Sequence, residues 1–363
     1  MSQPGLLPRA AVASLIARGA ISAERVIEPS QIQPASLDLR LGKAAYRLRA
    51  SFLPGRTMTV RERLDSFASE RMSLEGEGAV LEKGIVYIAP LAERLALPET
   101  LAGAANPKSS TGRLDIFVRL IVDNGAAFDE APAGYSGPLW VEISPRSFSV
   151  RVREGTRLNQ LRLREAARVS LTDDDLRARH AHAALVDRPL ALRDGLVVHV
   201  GLAGEGIVGF RALKNSSVID VDKPGAYAAE DFWEPIRARA GRLILDPDEF
   251  YILASREKMH IPADLAAEMA AIDPALGEFR VHYAGFFDPG FGWTASGAPG
   301  ARAVLEVRGR DVPFLLEDGQ PIGRLVFEPL SSAADALYGA IGGSNYQGQG
   351  LKLSKHFRAW EGG

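Results

Sequence analysis

The chain has 363 residues and no cysteine. That excludes disulfides and thiol nucleophiles. It also excludes the His/Cys zinc centre of the common nucleobase deaminases, with its H-x-E and P-C-x-x-C signature. Histidine is scarce, with six in all, and the close pair His180 and His182 sits in a charged stretch without a third ligand, so it reads as surface. No apolar run is long enough to cross a bilayer. The formal net charge is −2, which gives no general pull toward nucleic acid or an anionic membrane; any anion site must be a local cluster. Arg9 and Arg18 interrupt the N-terminus, where Val12, Leu15, Ile16 and Gly19 fall at helical spacing, so it does not read as a signal peptide and a cytoplasmic location is expected.

What is present is a soluble, mainly β composition. Hydrophobic residues make up 46 % and charged residues 24 %, and the length allows two or three domains. Residues 8–20 read as a short amphipathic helix, and Leu37 to Leu41 alternate as a half-buried strand. Residues 51–78 read as a polar, irregular surface excursion. From residue 79 short strands follow one another between Gly, Pro and Asp turns: Gly84–Pro90, Ile116–Val122, Leu139–Ile143, Phe148–Val152 and Arg157–Leu163. That rhythm predicts an all-β sandwich or barrel. Further helices are expected at 173–184, behind the acidic first turn Asp173-Asp174-Asp175, and at 262–271. The charged, Ala-rich stretch 165–195 reads as a connection between halves.

The second half repeats the first. Tyr87 and Tyr251, Pro98 and Pro262, Glu142 and Glu306, Gly155 and Gly319, and Leu161 and Leu325 are all separated by 164 residues. Trp140-Val141-Glu142 matches Val304-Leu305-Glu306. Five anchors at one offset indicate tandem duplication of a β-domain of roughly 160 residues. The expected division is 1–165 for the first repeat, 166–194 for the connection, 195–335 for the second repeat and 336–363 for a glycine-rich tail.

The differences between copies point to function. Asn106–Arg113 concentrates Lys108, Ser109, Ser110, Gly112 and Arg113 behind an Asn-Pro turn, a composition suited to phosphate oxygens. The same positions in the second copy read Ile272, Asp273, Pro274 and Gly277, without a cation or hydroxyl. Conversely, the second copy carries a tight aromatic hairpin, Val281–Gly292, where the first has the looser Leu120–Gly137. Each copy has kept half of a site.

Four segments carry a resemblance to a known family: Ile32–Gly42, the Lys108-Ser109-Ser110-Thr111-Gly112-Arg113 loop, the Ala284-Gly285-Phe286-Phe287-Asp288-Pro289-Gly290 hairpin and the Tyr346-Gln347-Gly348-Gln349 tail. With Val304-Leu305-Glu306, they make the chain resemble the dCTP deaminase branch of the dUTPase superfamily, in a tandem-duplicated form. The resemblance implies two dUTPase-like β-clip domains (jelly-roll-like barrels). It implies hydrolytic, zinc-free deamination of dCTP to dUTP and ammonia, with Mg²⁺ carried by the triphosphate and no metal ligand from the protein. It places Lys108, Ser109, Ser110 and Arg113 from the first copy against Ala284, Asp288, Val304 and Glu306 from the second. Tyr338, Asn345 and Gln349 come from a tail that closes over the nucleotide. Asn345 stands where the family usually has Lys; Lys352 or Lys355 is the expected substitute.

Deamination without zinc needs a carboxylate that takes a proton from water and returns it to ammonia. Glu306 is the expected base, with Glu142 as runner-up at the equivalent position, and Ser109 and Arg113 are expected to hold the water or phosphate. The alternatives are a bifunctional enzyme that continues to dUMP and a non-catalytic nucleotide-binding regulator. Single-copy family members are trimers, so a monomer with an internal interface or a small homo-oligomer is expected. dTTP is a candidate inhibitor; nucleic acid and membrane are not expected partners.

Overall fold

The computed structural model describes residues 4–271, 279–282, 285–340 and 345–360. Its main sheets repeat one topology. The first copy supplies β1 (Leu37–Leu39), β2 (Ala44–Leu48), β3 (Ala68–Ser73), β4 (Val86–Ala96), β5 (Leu101–Pro107), β6 (Ile116–Val122), β7 (Glu130–Ala131), β8 (Ser136–Pro145) and β9 (Asn159–Glu165). The second supplies β10 (Leu196–His199), β11 (Gly209–Ala212), β12 (Trp233–Ile236), β13 (Phe250–Met259), β14 (Leu265–Ala271), β15 (Phe279–His282), β16 (Phe286–Phe287), β17 (Ala301–Gly309) and β18 (Pro321–Pro329).

One sheet of the first copy runs β3-β2-β4-β8-β6, with the short strand Ile21–Ala23 also paired to β4, and its partner runs β1-β9-β5-β7. The second copy repeats both orders as β12-β11-β13-β17-β15 and β10-β18-β14-β16. Register agrees residue for residue. Tyr46 and Glu142 flank Ile88, just as Phe210 and Glu306 flank Ile252. Leu161 faces Ala105 as Leu325 faces Met269. The buried Tyr87 hydroxyl accepts from Glu82 N at 3.0 Å, and Tyr251 from Asp246 N at 2.9 Å. The duplication inferred from five anchors thus extends to pairing and side-chain bonds.

Helices are few: α1 (Arg9–Ala17), α2 (Val60–Phe67), the single turn α3 (Ser109–Gly112) and α4 (Asp173–His182). Three expectations need correction. The 51–78 stretch is not irregular: it contains α2 and β3. Thr59 and Glu62 form a reciprocal capping box, with Thr59 N donating to Glu62 Oε2 at 2.7 Å. Likewise, 262–271 is not a helix. Leu265–Ala271 has helix-favouring composition, but it pairs along its length with β18 and also with β16, and those ladders override local propensity. The Leu37 strand is also not half-buried: all three residues of β1 are buried, Asp38 included.

The two copies differ in what covers the outer face of the longer sheet. In the first copy Leu48, Ile88, Ile121 and Trp140 lie under Val60 and Leu64 of α2, with Tyr46 and Val86 packed alongside. In the second, the equivalent Phe210, Ala212, Phe250, Ile252 and Val304 join the core of the first copy. The segment between β11 and β12 crosses with them. Ile219 and Asp220 pair in parallel with Val150 and Arg151, and Phe232 and Trp233 meet Phe148 edge-on at 5.7 and 5.3 Å. Side chains alternate across a strand, so Glu142 shares the face of Trp140 and Glu306 that of Val304. The first glutamate therefore points toward its own cap and the second toward the other copy.

Candidate active site

The site forms where the outer face of the second copy meets the loop after β5. Lys108 N donates to Leu158 O at 2.9 Å, which carries the β5–β9 ladder up to the loop. The chain then makes the single turn α3, burying Ser110, Thr111 and Gly112. This turn directs Arg113, itself buried, toward β17 of the second copy. The opposite wall is the hairpin after β14. Phe286 and Phe287 pair with Glu268 and Ala267, and the turn that follows has Gly290 at φ +87°. A Cβ there would sit 2.8 Å from Leu337 Cβ, so glycine admits the start of the tail.

These walls enclose a cavity of about 50 Å³ lined by Ser109, Arg113, Phe291, Val304, Glu306 and Gln349, among others. It adjoins an open polar groove of about 510 Å³ lined by Ser110, Arg157, Asp222, Asn345 and Lys355, among others. Lys108, Ser109, Asp288, Tyr338 and Tyr346 border both. The expected residues from both copies therefore converge, except Ala284, which lies outside the described residues, as do the positions expected to replace the anion loop in the second copy. Glu142 does not line this cavity. It is buried elsewhere, with Arg119 Nη2 at 2.6 Å and Nε at 3.0 Å from its Oε1.

Glu306 lies on β17 between Ile252 and His282. Among the described residues no donor stands within hydrogen-bond distance of its carboxylate. Burial pushes its pKa up to about 8; Arg113 pulls it down and Asp115 pushes it further up. Asp288 is also raised by burial, opposed by Arg162. Arg162 is a site residue that the sequence did not reveal. It alternates with Leu161 and Leu163 and reads as outward-facing, yet its guanidinium is buried. It donates to Asp288 Oδ1 at 3.1 Å and Phe287 O at 3.0 Å, and lies 4.0 Å from the Phe286 ring centroid. Lys108 pairs with Asp38 of β1.

The tail is tied to both walls. Tyr338 N donates to Pro289 O at 2.7 Å, and Gln347 bridges Gly292 N at 3.0 Å and Gly290 O at 3.1 Å. Arg113 donates to Gln349 Oε1 and to Lys352 O, both at 3.0 Å, and stacks 3.8 Å from the Tyr346 ring centroid. Lys352 donates to the carbonyl of Asn345 at 2.8 Å. Burial and Lys108 lower the pKa of Lys355, which borders the groove.

Beyond the site the tail remains attached. The Ser354 hydroxyl lies 2.8 Å from Ser110 O and 2.9 Å from His356 Nδ1, and His356 Nε2 donates to Val221 O at 2.8 Å. Phe357 packs on Phe232 and Trp233, and Trp360 on Phe210. Tyr346, Gln347, Ser354 and His356 are thus structural members of the site beyond the tail residues singled out from sequence. The Tyr-Gln-Gly-Gln string was a usable signal for the first two; Ser354 and His356 had none.

Among the described residues no group of three or more His, Asp or Glu side chains could hold a metal ion, and no helix is long and apolar enough to cross a membrane. His180 caps its own helix end, its Nδ1 accepting from Leu185 N at 3.2 Å.

Comparison with known proteins gives two family models. The "2′-deoxycytidine 5′-triphosphate deaminase (DCD) N-terminal domain" matches residues 3–167, and the corresponding C-terminal domain matches residues 172–357. A dCTP deaminase of Halorubrum lacusprofundi is 30 % identical over 142 residues, which cover 38 % of this chain and 67 % of that protein. A "dCTP deaminase, dUMP-forming" of Mycolicibacterium vanbaalenii is 31 % identical over 145 residues, 39 % of this chain and 71 % of that protein. The crystal structure of 2′-deoxycytidine 5′-triphosphate deaminase from Agrobacterium tumefaciens superposes with a TM-score of 0.86 at 50 % identity, covering 90 % of this chain and 99 % of that one.

Proposed function

The chain belongs to the 2′-deoxycytidine 5′-triphosphate deaminase family, and from that premise we propose how its residues divide the reaction. It is a hydrolytic deaminase of dCTP: water adds to C4 of the cytosine ring, and ammonia leaves to give dUTP. Glu306 is the base. It takes one proton from water as the oxygen attacks C4 and delivers it to N3, then moves the remaining hydroxyl proton to the amino group, so that C4=O forms, the C4–N bond breaks and ammonia leaves. The observation that carries this role is a buried carboxylate, without a hydrogen-bond donor among the described residues and raised to about 8, at the edge of a cavity beside Arg113. Such a group can both accept and release a proton near neutral pH.

Ser109 is suited to hold the water, and Arg113 to keep part of the Glu306 population ionised. Val304, with Ala284 of the hairpin, is assigned to the ring, and Asp288 to the sugar 3′-hydroxyl with Arg162 fixing its orientation. Phe291 covers the sugar. Lys108 and Ser110 turn toward the triphosphate, and Lys355 fits the phosphate role for which Asn345 lacks charge. The groove is lined by Lys108, Arg157 and Lys355 together with Asp38, Asp222 and Asp288, and we take Mg²⁺ to arrive on the triphosphate. The cavity of about 50 Å³ continues into the groove of about 510 Å³, which brings the site into the roughly 300–1,000 Å³ range of ordinary ligand pockets, and the tail residues Tyr346 and Gln349 line the cavity where they can close over substrate.

We divide the chain into a first repeat (1–165), a connection (166–194), a second repeat (195–335) and a tail (336–363). Both halves of the site meet within one chain, which supports an internal interface. The deoxynucleotide pool it acts on fits a cytoplasmic enzyme, and dTTP, as an inhibitor, would compete for the same groove. A second reading, onward hydrolysis to dUMP, is favoured by the relatives named dUMP-forming. Incubation with dCTP and Mg²⁺, with chromatography of the products, tests both. dUTP with ammonia is expected; release of pyrophosphate would establish the second reading, and no turnover would refute the first.

A further inference from the structure

A buried ion pair joins the two copies directly beside the reacting carboxylate. Arg308 lies two residues beyond Glu306 on β17, on the same face. Asp115 lies two residues beyond Arg113, where the loop turns into β6. Arg308 Nη2 pairs with Asp115 Oδ2, and its Nη1 donates to the carbonyl of Asp248. The Ser147 hydroxyl donates to the same Asp115 oxygen at 2.6 Å. Asp115 is fully buried, and Arg308 and Ser147 are at least nine-tenths buried. The Asp115 backbone is itself held, in the left-handed region at φ +55°, with its N–H bonded to Gly112 O at 2.8 Å and its carbonyl accepting from Arg146 N at 2.9 Å. Two residues along a strand span roughly 7 Å. The pair therefore ties the two walls together about one side-chain length from both Arg113 and Glu306.

We propose that the Asp115–Arg308 pair, with Ser147 behind it, is a positioning device for deamination: it fixes the separation of Arg113 and Glu306 and offsets the Asp115 charge beside Glu306. The inference rests on the assignment of Glu306 as base. An isolated buried carboxylate next to a base would make ionisation of that base harder, and a paired one does so far less. A buried pair contributes little net stability compared with an apolar substitute, so its gain here is geometric and electrostatic. Among the described residues, the other charged and titratable groups around Glu306 are Lys108, Arg113 and Asp115 on the loop, Asp288 on the hairpin, and Tyr338 and Tyr346 on the tail. Its register partners are Ile252 and His282.

The test is the pH dependence of kcat/KM for dCTP in Arg308→Gln, Asp115→Asn and Arg308→Lys, beside Glu306→Gln. Arg308→Gln removes the positive charge paired with Asp115, so the acid limb of the profile is expected to move to higher pH. kcat should fall about 10²-fold, the scale of a small misplacement of reacting groups. Asp115→Asn removes the repelling charge, so the limb is expected to move to lower pH; asparagine tolerates the left-handed backbone. Arg308→Lys keeps the charge but not the fork, so kcat should fall with the limb in place. If Arg308→Gln does not fold, the downward limb in Asp115→Asn and the unmoved limb in Arg308→Lys decide the matter. An inactive Glu306→Gln with limbs unmoved in both Arg308→Gln and Asp115→Asn would overturn the positioning role alone. An active Glu306→Gln would overturn the base assignment and, with it, this proposal.

Discussion

Glu142 and Glu306 occupy one position in two copies of a single fold, with the same register against Ile88 and Ile252, yet their surroundings have opposite character. Glu142 is held by the Arg119 guanidinium, which stacks 3.5 Å from the Phe128 ring centroid. Glu306 has no such partner among the described residues, and burial raises it. The strand does not make the difference; what lies on it does. Over the first glutamate the chain folds α2 back onto its own sheet. Over the second, the equivalent excursion leaves for the other copy, and the exposed face receives a loop with two hydroxyls and two cations. A shared backbone position thus becomes structural or chemical according to its neighbour.

The largest expected effect that tests this contrast is on turnover. Glu306→Gln should lower kcat for ammonia release at least about 10³-fold, the scale of lost general acid–base catalysis. Glu142→Gln should stay within about twofold per folded molecule. Equal losses would erase the distinction. Next in size is the cap. Leu64→Ala in α2 should cost about 3 kcal/mol of stability in urea unfolding, as for other buried leucines, with kcat unchanged.

Breaking the Arg119 pair by Glu142→Gln should cost about 2 kcal/mol, less than a fully buried pair because Arg119 is partly exposed. Glu306→Gln should have the opposite sign. The folded pKa of Glu306, about 8, exceeds its ordinary value of 4.5, so the folded state holds the proton more tightly between those limits. Ionisation therefore costs the wild type stability as pH rises through that window. Wild type and variant should coincide below about pH 4.5 and diverge above it, the variant melting higher. A variant that melts lower at pH 8 would mean Glu306 is satisfied rather than strained. Smallest is the tail anchor. Ser354→Ala removes a bond to the Ser110 carbonyl, worth about 1 kcal/mol, and should raise KM for dCTP roughly fivefold with little change in kcat.

Much of this was legible in the sequence because it repeats. A constant spacing of 164 residues located both copies, and the mismatch between Asn106–Arg113 and its counterpart exposed the divided site. Periodicity located α1, α4 and most strands. It failed at β14, where Ala and Met favour a helix and only pairing on two sides decides for a strand. It also failed at α2, whose Thr59–Glu62 capping box was legible but lay in a polar stretch. Arg162, Asp115 and Arg308 were not readable at all. Each is an ordinary charged residue in sequence, and its burial depends on contacts with the other copy, more than 100 residues away.

The packing of α2 has a consequence for assembly. A contact in which one unit's loop meets the next unit's strand face is head-to-tail, and such contacts either close into rings or propagate. Here the first step is taken inside the chain, between copies. The strand face that would accept a further loop is sealed by Val60 and Leu64. A second loop therefore cannot reach the Glu142 face while α2 stays packed on it.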